Sequence, residues 1–155
     1  MSREDFNDAL SKISQTIGDR PLDFDLQVFL NENYPADDDF FRRMEALCAA
    51  GEKEGWLCAR EAGGIRFGRV IKPGETAGRF SVDVVRMENV KGPHHVHPKG
   101  EIGMIMPIEG EAKFDDTAHG WYVYEPDSAH WPTVSGGSAY VLYLLPDGAI
   151  EFTGQ

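Results

Sequence analysis

The chain has 155 residues, 41% of them hydrophobic and 11% aromatic, which predicts one compact domain spanning residues 1–155 with its own core. Its 26 acidic and 15 basic side chains give a formal net charge of −11, and no cluster of lysine or arginine interrupts them. Nucleic acids and anionic membrane surfaces need basic patches, so both are disfavoured as partners. An anionic small substrate would need a local cation.

The amino-terminal segment and the two cysteines favour a cytoplasmic protein. Residues 1–5 are polar and acidic, and no apolar core of a signal peptide follows them. The longest apolar run, Ala139–Leu145, is too short to span a bilayer. Cys48 and Cys58 form neither a metal-binding nor a redox spacing, so we expect two buried, reduced thiols.

The first 54 residues are predicted to form a helical leader that packs on a β domain covering residues 55–155. Ser2 and Asp5 have the spacing of a capping box, and apolar residues then recur at helical intervals. A second and a third helix are predicted over Leu22–Asn33 and Asp38–Gly51. We expect these helices to cover the β domain or to contribute to a dimer.

From Gly55 onward, short β-type segments alternate with turn residues, a pattern typical of an all-β barrel or sandwich. The predicted strands are Trp56–Arg60, Ile65–Ile71, Phe80–Met87, Glu101–Ile108, Ala112–Phe114, Gly120–Tyr124, Trp131–Val134, Ala139–Leu145 and an edge at Ile150–Phe152. Tight turns are predicted at Asp115 with Asp116 and at Ser135–Gly137.

The stretch from His94 to Glu101 contains the strongest candidate site. Successive strand residues point to opposite faces, so His95 and His97 share one face, Glu101 keeps their parity and His94 faces outward. Three polar groups on an inward face are costly unless a metal or a proton-transfer network satisfies them. Imidazoles and a carboxylate suit Zn, Fe, Ni or Mn, so this ligand set leaves the metal open.

The pattern His95-x-His97-x-x-x-Glu101, followed by Gly120, Pro126 and His130, resembles the two signature motifs of the cupin superfamily. The resemblance implies a mainly β fold, a cupin-type double-stranded β-helix or jelly-roll barrel with an N-terminal helical segment. It implies that His95, His97, Glu101 and His130 are the catalytic and metal-binding residues. One divalent metal (Zn, Fe, Mn or Ni) is compatible with them, and so is a site that works without a metal. Cupins usually pair, so a homodimer is also implied.

Several shorter strings resemble the small cupin-like family of 4-hydroxylaminobenzoate lyases. These strings are His97–Glu101, Gly120 with Trp121, Pro126 with His130, Pro132–Val134, Tyr143–Pro146, Gly148 and Ile150–Phe152. The resemblance implies conversion of an aryl hydroxylamine to a catechol with release of ammonia, for which loss of hydroxide from nitrogen is the hard step. A Lewis-acidic metal or a protonated side chain would stabilise that leaving group.

Two other functions remain compatible with the same residues. A metal-dependent cupin dioxygenase or isomerase would use open coordination positions, whereas a non-catalytic cupin would only bind a small ligand. A carboxylated aromatic substrate would in each case need a cation to bind its carboxylate and an aromatic side chain to pack against its ring. Lys99, Arg86 and Tyr143 are the predicted substrate-binding residues, and Arg69 and Arg79 are alternative partners for a carboxylate.

Overall fold

The computed structural model describes residues 2–155 and shows three helices followed by nine strands within that range. The helices are α1 (Arg3–Ile17), α2 (Phe24–Asn33) and α3 (Asp39–Glu54). The strands are β1 (Arg60–Ala62), β2 (Ile65–Ile71), β3 (Phe80–Lys91), β4 (His95–His97), β5 (Glu101–Phe114), β6 (Gly120–Tyr124), β7 (Ser128–His130), β8 (Thr133–Pro146) and β9 (Glu151–Phe152). None of the helices in this part of the chain has the length and apolar character needed to cross a membrane.

The helices begin at residues whose side chains satisfy free backbone N–H groups. Ser2 accepts a hydrogen bond from the backbone of Asp5, whose carboxylate accepts one in return, so α1 has the predicted capping box. Asp23 and Asp38 accept hydrogen bonds at the starts of α2 and α3. The third helix continues past its predicted end and stops before Gly55, which adopts a left-handed conformation.

The strands form two antiparallel sheets that face each other as a jelly-roll barrel. The larger sheet has the strand order β1-β2-β3-β8-β5-β6, and the smaller sheet has the order β7-β4-β9. The predicted fold class, a cupin-type barrel with an N-terminal helical segment, is confirmed.

The predicted strand at Trp56–Arg60 is wrong. The backbone N–H groups of Trp56 and Leu57 both donate to the carbonyl oxygen of Gly51, so this segment closes the end of α3. The first strand starts only at Arg60. Aromatic and apolar residues that resemble a strand therefore serve here to bury the end of a helix.

Two predicted interruptions lie inside long strands. The predicted turn at Ser135–Gly137 belongs to β8, and the predicted gap between Ile108 and Ala112 belongs to β5. These regions pair with each other across shifts of register. A β-carbon on Gly137 would lie 1.9 Å from the carbonyl oxygen of Glu109, so glycine here permits the close approach of two strands at a bulge.

Side-chain alternation gives the larger sheet one face covered by helices and one face turned toward the smaller sheet. Val84 and Leu142 belong to a buried cluster that includes Phe41 of α3. Ile105 and Val141 belong to a second cluster on the opposite face. The candidate site lies on this second face, between the two sheets.

Candidate active site

Three histidines from two neighbouring strands converge between the sheets. His95 and His97 are buried on β4, and His130 on β7 lies directly opposite His95. The Nε2 atoms are separated by 3.0 Å between His95 and His97, 3.1 Å between His97 and His130, and 3.0 Å between His130 and His95. The structure thus brings together three of the predicted site residues.

Hydrogen bonds outside the cluster direct two Nε2 lone pairs toward its centre. The Nδ1 atom of His95 lies 3.1 Å from the carbonyl oxygen of Pro93, and the Nδ1 atom of His130 lies 2.8 Å from Oδ2 of Asp115. A carbonyl oxygen and a carboxylate only accept, so both Nδ1 atoms carry the hydrogen and both Nε2 atoms present a lone pair. A single hydrogen on Nε2 of His97 leaves these two lone pairs facing each other, whereas a cation at the centre satisfies all three nitrogens.

The protonation state of the cluster also fits a metal. Burial first, and then the neighbouring imidazoles, lower the pKa of His95 to about 4 and that of His97 to about 3. A metal binds the neutral form of imidazole, which these two side chains therefore have at pH 7. The three histidines could hold one metal ion, and their ligand atoms all lie within 4.8 Å of one another.

Glu101 lies at the edge of this cluster. Its Oε2 atom is 3.5 Å from Nε2 of His97 and accepts a hydrogen bond of 2.9 Å from the hydroxyl group of Tyr122. Burial raises the pKa of Glu101 to about 8, although the Tyr122 hydrogen bond acts in the opposite direction. A buried carboxyl group in this position is suited to exchange a proton with a bound molecule.

Asp115 contributes to the site although the sequence pattern predicts only a turn for it. Its Oδ2 atom accepts hydrogen bonds from His130 and from the hydroxyl group of Tyr124, and its Oδ1 atom accepts one of 3.1 Å from the backbone N–H of Thr133. Burial raises the pKa of Asp115, but the hydrogen bonds from His130 and Tyr124 outweigh burial and lower it. Asp115 therefore stays ionised and orients His130. The backbone of Asp115 is left-handed, with φ of 55°, which agrees with the predicted turn but gives no indication that its side chain contacts His130.

An apolar cavity of about 240 Å³ adjoins the histidines. Its polar lining residues are His95, Glu101, His130 and Tyr143. Its other lining residues are Ala62, Ile65, Phe67, Val85, Met87, Pro93, Phe114, Pro132, Ile150 and Phe152. An apolar cavity of roughly 150 Å³ binds one benzene molecule, so this cavity has room for a single substituted ring.

The structure separates the three predicted substrate-binding residues. Tyr143 lines the cavity. Arg86 alternates with two cavity-lining residues and therefore lies on the helix-covered face, where it donates to Glu52 at 2.6 Å. Lys99 is exposed and forms an ion pair with Asp147. The structure brings neither of these cations to the cavity.

The barrel topology and the histidine cluster together define a cupin-type protein with a candidate metal site. The family model described as PnbB, 4-hydroxylaminobenzoate lyase, matches residues 8–152. The chain belongs to this family of 4-hydroxylaminobenzoate lyases.

Two relatives match almost the full length of the chain. A 4-hydroxylaminobenzoate lyase from Nocardioides sp. (strain LMS-CY) is 31% identical, and the match covers 96% of this chain and 94% of the relative. A 4-hydroxylaminobenzoate lyase from Pseudomonas putida is 28% identical, with 96% and 92% covered. Among solved structures, a polyketide cyclase from Streptomyces resistomycificus is 14% identical with a TM-score of 0.45, covering 59% of this chain and 72% of that one. This last likeness carries nothing about activity.

Proposed function

We propose that this chain is a lyase that converts 4-hydroxylaminobenzoate and one water to 3,4-dihydroxybenzoate and ammonia. The observation that carries the proposal is the meeting of three histidines and Glu101 at an apolar cavity with room for one ring. Membership of the family over residues 8–152 supports the same reaction.

The proposed reaction needs no external oxidant. Protonation lets the hydroxylamine oxygen leave as water with the N–O electron pair, and the positive charge spreads from nitrogen into the ring. Water adds to the neighbouring ring carbon and loses a proton. A second water replaces the imine nitrogen, which leaves as ammonia, and loss of the ring proton restores aromaticity. One water leaves and two enter, so the overall reaction consumes one water.

Glu101 is the proposed proton-transfer residue. It lines the cavity together with His95 and His130, so a ring bound there places its nitrogen substituent within reach of the carboxyl group. The Tyr122 hydroxyl group holds that carboxyl group in place. Glu101 would give its proton to the leaving oxygen and, once ionised, would accept a proton from the water that adds to the ring.

His95, His97 and His130 are the proposed ligands of one divalent metal. When bound, the metal would supply Lewis acidity toward the hydroxylamine group. Three imidazoles are compatible with Zn, Fe, Mn or Ni, so the ligand set leaves the metal open.

The remaining proposals concern the protein's surroundings. The family resemblance supports a homodimer that acts on a small aromatic substrate, and the polar amino-terminal segment and the two cysteines support a cytoplasmic location. The formal charge of −11 disfavours nucleic acid and anionic membranes as partners.

Product analysis tests the proposed reaction. The purified protein is supplied separately with Fe, Mn, Ni or Zn and incubated with 4-hydroxylaminobenzoate, with and without oxygen. We expect equal amounts of ammonia and 3,4-dihydroxybenzoate under both atmospheres. Absence of both products with every metal would contradict the proposal. Turnover only with oxygen would favour a dioxygenase, and binding without turnover would favour a non-catalytic cupin.

Two variants locate the activity. Glu101→Gln should lower kcat by about 100-fold or more, because it removes a group that transfers a proton. His94→Gln is the matched control, since His94 belongs to the same histidine string but contacts Thr153 and Trp131 outside the cavity. Equal activity of the two variants would show that Glu101 takes no part in the reaction.

A further inference from the structure

A groove with positive charge continues from the apolar cavity. Four residues line both spaces, namely Phe67, Tyr143, Ile150 and Phe152. The charged lining residues of the groove are Arg60, Arg69, Lys72 and Asp83. Three positive charges and one negative charge give this region a net charge of +2, whereas the whole chain has −11. A positive region beside an apolar cavity favours a ring that carries an anionic group.

Arg69 lines the groove, and Asp83 holds its side chain in position. Arg69 on β2 pairs in register with Asp83 on β3, and Asp83 pairs with Tyr143 on β8, so the three side chains form one row on the sheet. Asp83 accepts hydrogen bonds from Nε of Arg69 at 3.1 Å and from Nη2 at 3.2 Å. Asp83 therefore occupies one edge of the guanidinium group and orients the other edge.

The second edge of this guanidinium group can accept another carboxylate. Its contact there is a long one of 3.5 Å between Nη2 and the carbonyl oxygen of Gly148. Within residues 2–155, the Nη1 atom has no hydrogen-bond partner. The Arg69 side chain is 35% exposed, so a ligand in the groove can reach it. A planar guanidinium group binds carboxylates in pairs of parallel hydrogen bonds, one pair on each edge.

Tyr143 connects this cation to the candidate active site. Its side chain lines both the groove and the cavity. Its hydroxyl group has no hydrogen-bond partner in the described part of the chain, so it is available as a donor to a ligand. Because Tyr143 belongs to the same row as Arg69 and Asp83, it joins the part of the groove beside Arg69 to the cavity.

The other cations considered from the sequence are engaged elsewhere. Arg79 donates to the carbonyl oxygens of Gly18 and Arg20 after the end of α1, at 3.2 and 3.3 Å. Arg86 lies on the helix-covered face and Lys99 outside the cavity, as described above. Arg69 is thus the candidate whose position relative to the cavity fits a carboxylate.

We propose that Arg69 and Tyr143 bind the carboxylate of the substrate and orient its ring, so that a hydroxylamine in the para position reaches Glu101 and the histidines. This inference rests on the proposed function and names the residues that recognise the carboxylate of its substrate. Aryl hydroxylamines with a para carboxylate are preferred over the same compounds without one.

Kinetics with 4-hydroxylaminobenzoate and with phenylhydroxylamine, which lacks the carboxylate, test the inference. Arg69→Gln should lower kcat/KM for the carboxylated substrate about 10- to 100-fold, mainly through KM, because a charge-assisted pair is lost. The same variant should leave kcat/KM for phenylhydroxylamine nearly unchanged. Tyr143→Phe should show the same selectivity with a smaller loss. Lys99→Gln, which removes a cation outside the cavity, is the matched control. Equal losses with both substrates would overturn the inference.

Equilibrium binding separates this inference from the proposed reaction. Calorimetric titration of 4-nitrobenzoate should give about tenfold weaker binding to Arg69→Gln than to the unaltered protein, whereas nitrobenzene should bind both alike. If 4-nitrobenzoate binds Arg69→Gln more weakly and nitrobenzene binds both proteins alike, but the unaltered protein shows no turnover, the proposed reaction is refuted and the carboxylate site is retained. If 4-nitrobenzoate binds both proteins equally, the carboxylate site is refuted. Arg69→Lys keeps the charge beside Asp83 and should retain part of the affinity, which guards against a folding defect in Arg69→Gln.

Discussion

Asp115 should control how tightly the histidine cluster holds a metal. Its carboxylate accepts three hydrogen bonds, two at Oδ2 from His130 and Tyr124 and one at Oδ1 from the backbone of Thr133. The amide of Asp115→Asn has one oxygen and one NH₂ group. Both oxygens of Asp115 accept hydrogen bonds, so the NH₂ group would face a donor and could not accept its hydrogen bond. The substitution also removes the negative charge that fixes the tautomer of His130.

The size of this effect follows from the bonds that are lost. A hydrogen bond to a charged group contributes about 1.5–3 kcal/mol, and loss of a partner that orients a metal ligand weakens metal binding about 10- to 100-fold. We therefore expect the Kd for the preferred metal to rise about 10- to 100-fold in Asp115→Asn, which corresponds to about 1.4–2.7 kcal/mol.

The assay is a competition titration between the protein and a chelator of known affinity, followed by the unfolding temperature of the metal-free proteins. Asp116→Asn is the matched control, because it removes one charge from the exposed neighbouring residue. An unchanged Kd in Asp115→Asn would show that Asp115 does not control metal binding. So would equal weakening in the two variants, since that would reflect net charge alone.

Four further predictions follow from the same structure. Tyr122→Phe should lower kcat more than it raises KM, because it removes the hydrogen bond that positions the buried carboxyl group, and steady-state kinetics measures the two effects. Adding the preferred metal should raise the unfolding temperature, and this rise should disappear in His97→Gln but persist in His94→Gln. Gly137→Ala should destabilise the protein by about 3 kcal/mol or more in chemical unfolding, whereas Gly63→Ala, in an open turn with φ of 59°, should cost about 1–2 kcal/mol. Light scattering at micromolar concentration should give the mass of a dimer, and a monomer would contradict the homodimer.

The alternation of side chains along strands explains why part of the site could be predicted from the sequence. It places His95 and His97 on one face, and the strands Ile65–Ile71 and Gly120–Tyr124 have the predicted bounds. The same rule puts Arg86 opposite Val85, but only the positions of the helices determine which face is the interior. The choice among cations therefore required the tertiary structure.

Other features depend on contacts that no local pattern contains. Asp115 orients His130, but it lies 15 residues earlier, just after β5, so the pattern around His130 does not reveal it. The residues at Gly137 and after α3 favour a turn and a strand from their local sequence, but the structure shows a bulge and a helix end there. Pairing with a distant strand determines the structure at Gly137, whereas hydrogen bonds to the nearby carbonyl oxygen of Gly51 determine it after α3.

We propose that this site cleaves the N–O bond of 4-hydroxylaminobenzoate and that both hydroxyl oxygens of the product come from water, one on the ring carbon that carried nitrogen and one on its neighbour. Turnover without molecular oxygen in isotopically labelled water, followed by mass spectrometry of the product, shows where these oxygens come from. Both hydroxyl oxygens of 3,4-dihydroxybenzoate should carry the label. A product that keeps one unlabelled oxygen would show that the hydroxylamine oxygen migrates to the ring, and would contradict the account.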